Sequence, residues 1–255
     1  MIRFEQVSKT LGGKTVLDRI DFTISKGETF VVVGLSGAGK SVTLKHMIRL
    51  LIPDSGNVLI EGERINDLNR AELQRVRGKF GVLFQGAALL QWMSVFDNVA
   101  LPLREHTRLS EEEIRGIVEE KLAQVNLEEA AEKFPGDLSG GMQKRAGLAR
   151  AIVMNPKIVL YDEPTSGLDP VTSRHIDELI LRMSQELGVT SVVVTHDLHS
   201  ALSIGSRIMM LHGGKIVENA PPEAFIHSKD ETVQSFLRSQ YITKRGKWEA
   251  GFSHE

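Results

Sequence analysis

The chain has 255 residues, no cysteine and a nearly balanced charge, with 31 Lys and Arg residues against 33 Asp and Glu residues. This length supports a full hydrophobic core, either as one large domain or as one domain with an inserted subdomain. The balanced charge argues against nucleic acid as a direct ligand, and the lack of cysteine excludes disulfide and thiolate chemistry and fits a reducing, cytosolic compartment.

Short runs of β-branched residues alternate with helical patterns along the chain, which predicts an α/β fold with a largely parallel sheet. The runs TFVVVG (29–34), IVLYDE (158–163) and SVVVTH (191–196) are typical of buried parallel strands, whose carboxyl ends are where ligands bind. NVLIEG (57–62) and the two runs on either side of 212–214 are typical of antiparallel strands with tight turns. The sheet is therefore predicted to be mixed.

A helical region separates the early strands from the later ones. The run SEEEIRGIVEEKLAQVNL (110–127) begins with Ser110 and Glu113 at capping-box spacing and places its apolar residues on one helical face. We therefore predict a helical subdomain over about residues 86–155, inserted into a core formed by residues 1–85 and 156–220.

The segment GLSGAGKS (34–41) matches the phosphate-binding pattern G-x-x-x-x-G-K-[ST] between an apolar strand and a helical pattern. Backbone N–H groups of such a loop face an anion, and the helix N-terminus adds a favourable dipole. Lys40 is predicted to reach the β and γ phosphates of a nucleotide, and the Ser41 hydroxyl to ligate Mg²⁺. This context disfavours the alternative, a glycine-rich turn without a ligand. The predicted nucleotide contacts here are Gly34, Ser36, Gly37, Gly39, Lys40, Ser41 and Val42.

The strand IVLYDE ends in two adjacent carboxylates, Asp162 and Glu163. Asp162 is predicted to hold Mg²⁺ through its water shell, because Mg²⁺ keeps several waters and takes few carboxylates. Glu163 points in a different direction and can polarise a water aimed at the γ-phosphate. Taken alone, such a pair is more often a solvated strand end, but its combination with the phosphate-binding segment favours the magnesium interpretation.

With these motifs in order, the chain resembles the ATP-binding-cassette (ABC) ATPases over about residues 2–220. The other marks of that family are Gln85 in LFQGA, the signature LSGGM (138–142), SGLDP (166–170) and His196 in VVVTHD. The resemblance implies the P-loop NTPase fold of ABC ATPases, with a RecA-like core, and ATP and Mg²⁺ as substrate and cofactor. It also implies that Glu163 orients or deprotonates the attacking water, that His196 contacts the γ-phosphate, and that Gln85 senses Mg²⁺.

The signature explains why the chain has a second glycine-rich turn at the start of a helix. ABC ATPases pair head to tail, so the resemblance implies a homodimer in which each nucleotide lies between two copies. Ser139, Gly140 and Gly141 of one copy are expected to face the γ-phosphate bound to the other copy. Asp169 is expected to span the dimer interface.

Three positions need separate comment. Leu11 stands where the family usually stacks an aromatic side chain on adenine, so we expect weaker or less selective base recognition. Met142 stands at the fifth signature position, where many members have Gln, and Gln143 follows it. His196 and His199 have a spacing seen in metal sites, but no third His or Cys motif accompanies them, so His199 is expected on a helix surface.

The segment FQGAALLQWMSVFDNVALPLREHT (84–107) is unusually apolar. Part of it is expected in the core, and the remainder is expected to contact an integral membrane permease, as in other transport ABC ATPases. Together with DLSGGMQKRAGLARAI (137–152), it resembles the Mce-associated, Mla-type phospholipid transporters. That resemblance implies phospholipid trafficking between inner and outer membrane, Mce-domain and accessory partners, and a peripheral position on the cytoplasmic side of the bacterial inner membrane.

Neither a signal peptide nor a run of roughly 18 uncharged apolar residues is present, so we expect that the chain does not itself cross a membrane. The C-terminal extension, 221–255, is aromatic-rich, unlike a disordered end. Its segment 230–241 sets Val233, Phe236, Leu237 and Tyr241 on one helical face. Packing on its own domain is one explanation; a second hypothesis is that 241–255 reaches the other copy and ties the dimer together without ATP.

Other classes of function remain open. A small-solute importer or a lipoprotein exporter would use the same catalytic residues. A soluble ABC protein of DNA repair or translation is disfavoured because the chain lacks a long coiled-coil insertion and a tandem second cassette. A different P-loop protein, such as a kinase or GTPase, is disfavoured by the complete signature, by His196 and by the lack of an NKxD guanine motif.

Overall fold

A computed structural model describes residues 1–240, and ten strands of this part of the chain form two sheets. Tyr241 and the hypothesis for the segment 241–255 lie outside the described residues. The strands are β1 (Ile2–Leu11), β2 (Lys14–Ile24), β3 (Thr29–Val33), β4 (Ser55–Ile60), β5 (Glu63–Arg64), β6 (Phe80–Leu83), β7 (Ile158–Asp162), β8 (Thr190–Val194), β9 (Arg207–His212) and β10 (Lys215–Ala220).

The larger sheet is mixed, as predicted, with the order β10-β9-β3-β8-β7-β6. Only β10 is antiparallel to its neighbour, and the central strands β3 and β8 are buried along their whole length, as expected of parallel strands covered on both faces. The smaller sheet, β2-β1-β4-β5, is entirely antiparallel. The NVLIEG run is antiparallel as predicted, but it belongs to this second sheet because it pairs with β1.

Nine α-helices accompany the strands within residues 1–240. They are α1 (Lys40–Met47), α2 (Arg70–Arg77), α3 (Val95–His106), α4 (Glu111–Gln124), α5 (Gly140–Ile152), α6 (Pro170–Leu187), α7 (Leu198–Ile204), α8 (Pro222–Ile226) and α9 (Glu231–Ser239). The predicted capping box starts α4: the Ser110 hydroxyl accepts from the Glu113 N–H at 3.3 Å, and the Glu113 carboxylate accepts from the Ser110 N–H at 2.7 Å. In this part of the chain no helix has both the length and the apolarity needed to span a bilayer.

The mixed sheet separates two apolar clusters, because alternate strand residues point to opposite faces. Val31 and Val33 of β3 pack with helices α3 to α7, whereas Phe30 and Val32 pack with α1 and the small sheet. Helices α3, α4 and α5 occupy the region predicted to be helical, while the subdomain limits of 86 and 155 stay a prediction. Buried Val233, Phe236 and Leu237 of α9 join the first cluster, so this part of the extension packs on its own domain.

Helix α5 crosses β6 with no space for a side chain at Gly81. A Cβ there would lie 2.0 Å from the Ala151 carbonyl oxygen, which belongs to the helix backbone. We expect Gly81→Ala to lower the free energy of unfolding by at least about 1–3 kcal/mol, because main chain would have to move. Gly116→Ala in α4 is the matched control, since a Cβ there meets nothing within 4 Å; a gain of up to about 1 kcal/mol is expected. Urea unfolding compares the two variants, and equal stabilities would contradict the close contact.

Candidate functional site

Four loops with predicted functional residues meet at one edge of the mixed sheet. They follow β3, β8, β7 and β6, which are neighbouring parallel strands in that order. The carboxyl ends of these strands therefore bring together segment 34–41, His196, Glu163 and Gln85, as expected for an open α/β sheet. Residues 35–37 and 39–41 of that segment line one cavity of about 720 Å³ together with His196, Glu163 and Gln85.

Segment 34–41 curls tightly into the start of α1. Gly39, the N-cap, has a φ of 102°, and a Cβ there would lie 2.9 Å from both the Leu17 side chain and the Val16 carbonyl oxygen. Within residues 1–240 no side chain caps α1, and the Gly39 carbonyl accepts its first helical bond from the Thr43 N–H at 2.9 Å. The first-turn N–H groups of α1 are therefore available to an anion.

Lys40 is the cation of this loop, and only 7% of the residue is exposed. Its Nζ donates to the carbonyl oxygens of Gly34 at 2.8 Å and Leu35 at 3.3 Å. The same Nζ lies 3.6 Å from Oε1 of Glu163. The ammonium group is thus held at the phosphate-binding loop by groups that a bound phosphate could replace as partners.

The Ser41 and Asp162 side chains fit a shared Mg²⁺ ion. The Ser41 hydroxyl donates to Oδ1 of Asp162 at 2.8 Å. At this spacing the Ser41 hydroxyl oxygen can be a ligand of the ion while the Asp162 carboxylate accepts hydrogen bonds from its water shell. Gln85 lines the same cavity and has an amide oxygen to offer as a further ligand. All three donors are hard oxygen atoms, the kind that Mg²⁺ prefers.

Glu163 is held by contacts on both its side chain and its main chain. Its φ of 49° is uncommon for a residue other than glycine, and 9% of the residue is exposed. Oε2 lies 2.8 Å from Nδ1 of His196, while the main-chain N–H donates to the Val194 carbonyl at 2.8 Å. The Glu163 carbonyl accepts from Nζ of Lys144 at 3.1 Å and from the Ser166 N–H at 3.2 Å. The carboxylate therefore has a defined direction into the cavity.

The two histidines do not form a metal site. His196 contacts Glu163, and His199 is exposed on α7, as predicted, with Nε2 3.2 Å from the Gln240 carbonyl oxygen. Residues 1–240 hold no cluster of three His, Cys, Asp or Glu residues suited to a metal ion. Both imidazoles instead take part in hydrogen bonds around the loop that follows β8.

The last described residue of the C-terminal extension, Gln240, contacts this loop directly. Oε1 of Gln240 accepts from the Leu198 N–H at 2.7 Å, and Nε2 donates to the His196 carbonyl at 2.5 Å. Phe236 and Ser239 also line the 720 Å³ cavity. Sequence reasoning missed Gln240 because it lies outside every motif; the apolar face of α9 was the only signal that this segment packs on the domain.

The signature residues lie elsewhere. Ser139 caps α5 by accepting from the Met142 N–H at 3.3 Å, and Ser139 and Gly141 line a separate cavity of about 410 Å³ beside α6. Asp169 caps α6: its Oδ1 accepts from two N–H groups at 3.0 Å, and the Thr172 hydroxyl holds the pKa of this carboxyl below its usual value. The cavity that contains Lys40 is not lined by Ser139, Gly140, Gly141 or Asp169.

The residues that depart from the family pattern have clear positions. Met142 packs against the apolar cluster, while the Gln143 amide donates to the carbonyls of Pro135 at 3.0 Å and Leu138 at 3.4 Å. Gln143 thus supports the signature loop from within its own chain. Leu11 is exposed at the end of β1, and Val16 supplies apolar lining to the nucleotide cavity.

The apolar segment after Gln85 divides as expected into core and surface. Ala87, Leu89 and Val95 are buried, whereas Trp92 is 73% exposed. Arg150 of α5 donates to the Ala87 carbonyl at 2.7 Å and to the neighbouring carbonyl of residue 88 at 2.8 Å. A large apolar side chain is therefore presented to solvent by a loop whose main chain is held in place.

Comparison with known proteins gives consistent results. A family model described as ABC transporter matches residues 17–166. Over 241 residues, the chain is 43% identical to the probable ribonucleotide transport ATP-binding protein mkl of Mycobacterium tuberculosis, covering 94% of this chain and 67% of that protein. It is 40% identical over 237 residues to the intermembrane phospholipid transport system ATP-binding protein MlaF of Escherichia coli, covering 93% and 88%.

A solved structure extends the comparison. The dimeric post-hydrolysis state of an ATP-binding cassette bound to ADP and Pi superposes with a TM-score of 0.80 at 36% identity. It covers 87% of this chain and 99% of the other. The similarity therefore extends over most of the fold.

The Gln240 contacts can be tested by hydrogen exchange. In Gln240→Leu the Leu198 N–H loses its acceptor, and we expect its exchange to become roughly fivefold faster, since one hydrogen bond contributes about 1 kcal/mol. Gln234→Leu is the matched control: it lies on the same helix and donates to Ser228 at 2.7 Å, away from the cavity. Mass-spectrometric exchange on both variants gives the result, and equal Leu198 protection in the wild type and Gln240→Leu would refute the contact.

Proposed function

The chain belongs to the ABC transporter family of ATP-binding proteins, and we propose that it is the ATPase subunit of a transporter that moves phospholipid between the inner and outer membrane. As a member of this family it binds and hydrolyses ATP. The phospholipid proposal is carried by one observation, the 40% identity to an intermembrane phospholipid transport protein across 93% of this chain.

In the proposed site, the phosphates of ATP lie against the N–H groups of the Gly34 to Val42 segment. Lys40, now bound to two loop carbonyls, turns to the β and γ phosphates. Ser41, Asp162 and Gln85 would hold Mg²⁺, which supplies charge neutralisation on the phosphate oxygens when bound. The base is placed near Val16, which offers apolar contact to adenine.

Hydrolysis needs a water held in line with the γ-phosphate and a group that accepts its proton. Glu163 is the residue proposed for both tasks, because its carboxylate is directed into the cavity and His196 fixes it at 2.8 Å. The water oxygen forms the new bond to phosphorus, the bond to the β–γ bridging oxygen breaks, and the water proton passes to Glu163. Lys40, the loop amides and His196 stabilise the charge on the phosphoryl group.

The proposed active unit is a homodimer. Ser139, Gly140, Gly141 and Asp169 line a different surface from Lys40, so one copy carries two half-sites and no complete site. A second copy would supply the exposed N-terminus of its α5 to the γ-phosphate. Loss of that phosphate removes the bridge, which converts hydrolysis into opening of the dimer.

The proposed partners are an integral membrane permease, an Mce-domain lipid-binding protein and accessory subunits, with the chain peripheral on the cytoplasmic side of the inner membrane. Exposed Trp92 is the residue proposed to contact the permease. A second candidate function is transport of a small solute, because the mycobacterial relative with 43% identity carries the name of a ribonucleotide transport protein.

The role of Glu163 can be tested by the substitution Glu163→Gln. We expect this variant to bind ATP and to hydrolyse it roughly two to four orders of magnitude more slowly, because an amide cannot accept the water proton. Glu186→Gln, an exposed position at the end of α6, is the control and should keep the wild-type rate. Single-turnover hydrolysis of labelled ATP measures both variants, and wild-type turnover in Glu163→Gln would reassign the role.

The cargo proposal can be tested by purifying the tagged protein from detergent-solubilised native membranes. Mass spectrometry should find a permease, an Mce-domain protein and bound phospholipid. We expect Trp92→Ala to recover roughly tenfold less permease, through loss of a buried aromatic contact. Leu109→Ala, another exposed apolar position, should recover normal amounts. A small-solute receptor in place of the Mce-domain protein would favour the second candidate, and no membrane partner would exclude both.

A further inference from the structure

Helix α5 carries a buried lysine that no motif explains. Lys144 lies two residues after the signature segment 138–142, and only 5% of it is exposed. Its Nζ donates to two main-chain carbonyls, those of Gln85 and of Glu163, the latter at 3.1 Å. These two acceptors are 59 and 19 residues away along the chain. One ammonium group thus joins the signature helix, the Gln85 loop and the residue proposed as general base.

Packing alone does not explain Lys144, because burying its ammonium group is energetically unfavourable. Within residues 1–240 no carboxylate lies within ion-pair distance of Lys144, and burial lowers the pKa of its ammonium group against the opposing effect of Glu163 and Asp162. Removing a charge from water without an ionic partner costs several kcal/mol, whereas a methionine of similar length would fill the same space without that cost. At this position a lysine differs from a methionine in one favourable respect, the hydrogen bonds that its ammonium group donates.

The two carbonyls that Lys144 binds belong to segments whose main-chain conformation positions site residues. Glu163 has a left-handed backbone, and the contact of its carboxylate with His196 depends on the main chain around it keeping this conformation. Lys144 and the Ser166 N–H both bond the carbonyl of that peptide. Arg150 of the same helix donates to the carbonyls of residues 87 and 88, so α5 holds three carbonyls of this loop, those of residues 85, 87 and 88.

We propose that Lys144 is a positioning residue that fixes the Glu163 carboxylate through its main chain and ties that orientation to the Gln85 loop and the signature helix. Movement of the apolar loop against a permease would then reach the hydrolytic site through a single ammonium group. The inference rests on the role proposed for Glu163, and it adds a residue that touches neither ATP nor the attacking water.

Lys144→Met, Lys144→Gln and Lys144→Arg test the proposal in the full-length protein. We expect Lys144→Met and Lys144→Gln to lower kcat roughly 10- to 100-fold, the scale of a small misplacement of a catalytic group, with KM for ATP changed less than about threefold. Lys144→Arg should recover most of kcat because it keeps a charged donor. Lys121→Met is the matched control: Lys121 is similarly buried in α4, and within residues 1–240 its ammonium group pairs with Glu120 and with no loop of the site, so wild-type kcat is expected.

A double substitution separates positioning from general damage. If Lys144 acts through Glu163, Lys144→Met should not slow hydrolysis further in a Glu163→Gln background, whereas a structural defect would add its full effect. Single-turnover hydrolysis of labelled ATP follows these slow rates. A kcat of Lys144→Met within twofold of wild type, failure of Lys144→Arg to rescue, or full additivity with Glu163→Gln would overturn the proposal. Wild-type turnover in Glu163→Gln alone would instead refute the role assigned to Glu163.

Discussion

The orientation of one residue, Glu163, is the constraint on which the rest of the site depends. Its N–H continues the pairing of β7 with β8 through the Val194 carbonyl, so the sheet fixes its main chain. The left-handed backbone then turns the side chain back toward Lys40 and His196 instead of onward to solvent. Such a backbone costs a non-glycine residue about 1–2 kcal/mol, and the hydrogen bonds on both sides of the peptide offset this strain.

Strand order supplies the remaining geometry. The strands β3, β8, β7 and β6 are adjacent and parallel. This order alone brings four loops from distant parts of the sequence to one edge of the sheet. The close approach of α5 to β6 at Gly81 extends this order to the helices. It fixes the signature helix against the strand that leads to Gln85, which makes a side-chain link from that helix to the site possible. The close packing of α5 on β6 at Gly81 and the hydrogen bonds of Lys144 therefore both hold the signature helix against the site.

The sequence predicted the site well where a motif coincides with the end of a strand. Lys40, Ser41, Asp162 and Glu163 could be placed because an apolar run and a polar end together define both position and chemistry. Lys144 and Gln240 could not be placed, since a lysine or glutamine in a helix is usually solvated and only the tertiary structure reveals its acceptors. The sheet that NVLIEG joins could not be predicted for a similar reason: the sequence indicates a strand, but its pairing with β1 is visible only in the structure. The domain limits and the roles assigned to site residues stay predictions.

Ser139 and Asp169, which are expected at the dimer interface, already cap helices α5 and α6 of their own chain. These capping bonds affect how a dimer could form. Asp169 uses its carboxylate on two N–H groups and a hydroxyl of its own chain, and the lowered pKa keeps that carboxylate charged within the pH range where a free aspartate would titrate. The stability that this cap contributes is present at neutral pH and is lost only as the pH falls through the lowered value. An interface contact of Asp169 must therefore add to the cap or compete with it. Ser139 differs, because its hydroxyl accepts a single long bond at 3.3 Å and the turn around it is exposed. In the proposed dimer, the signature loop is thus the part of each copy that can meet a phosphate with the least loss of its own contacts.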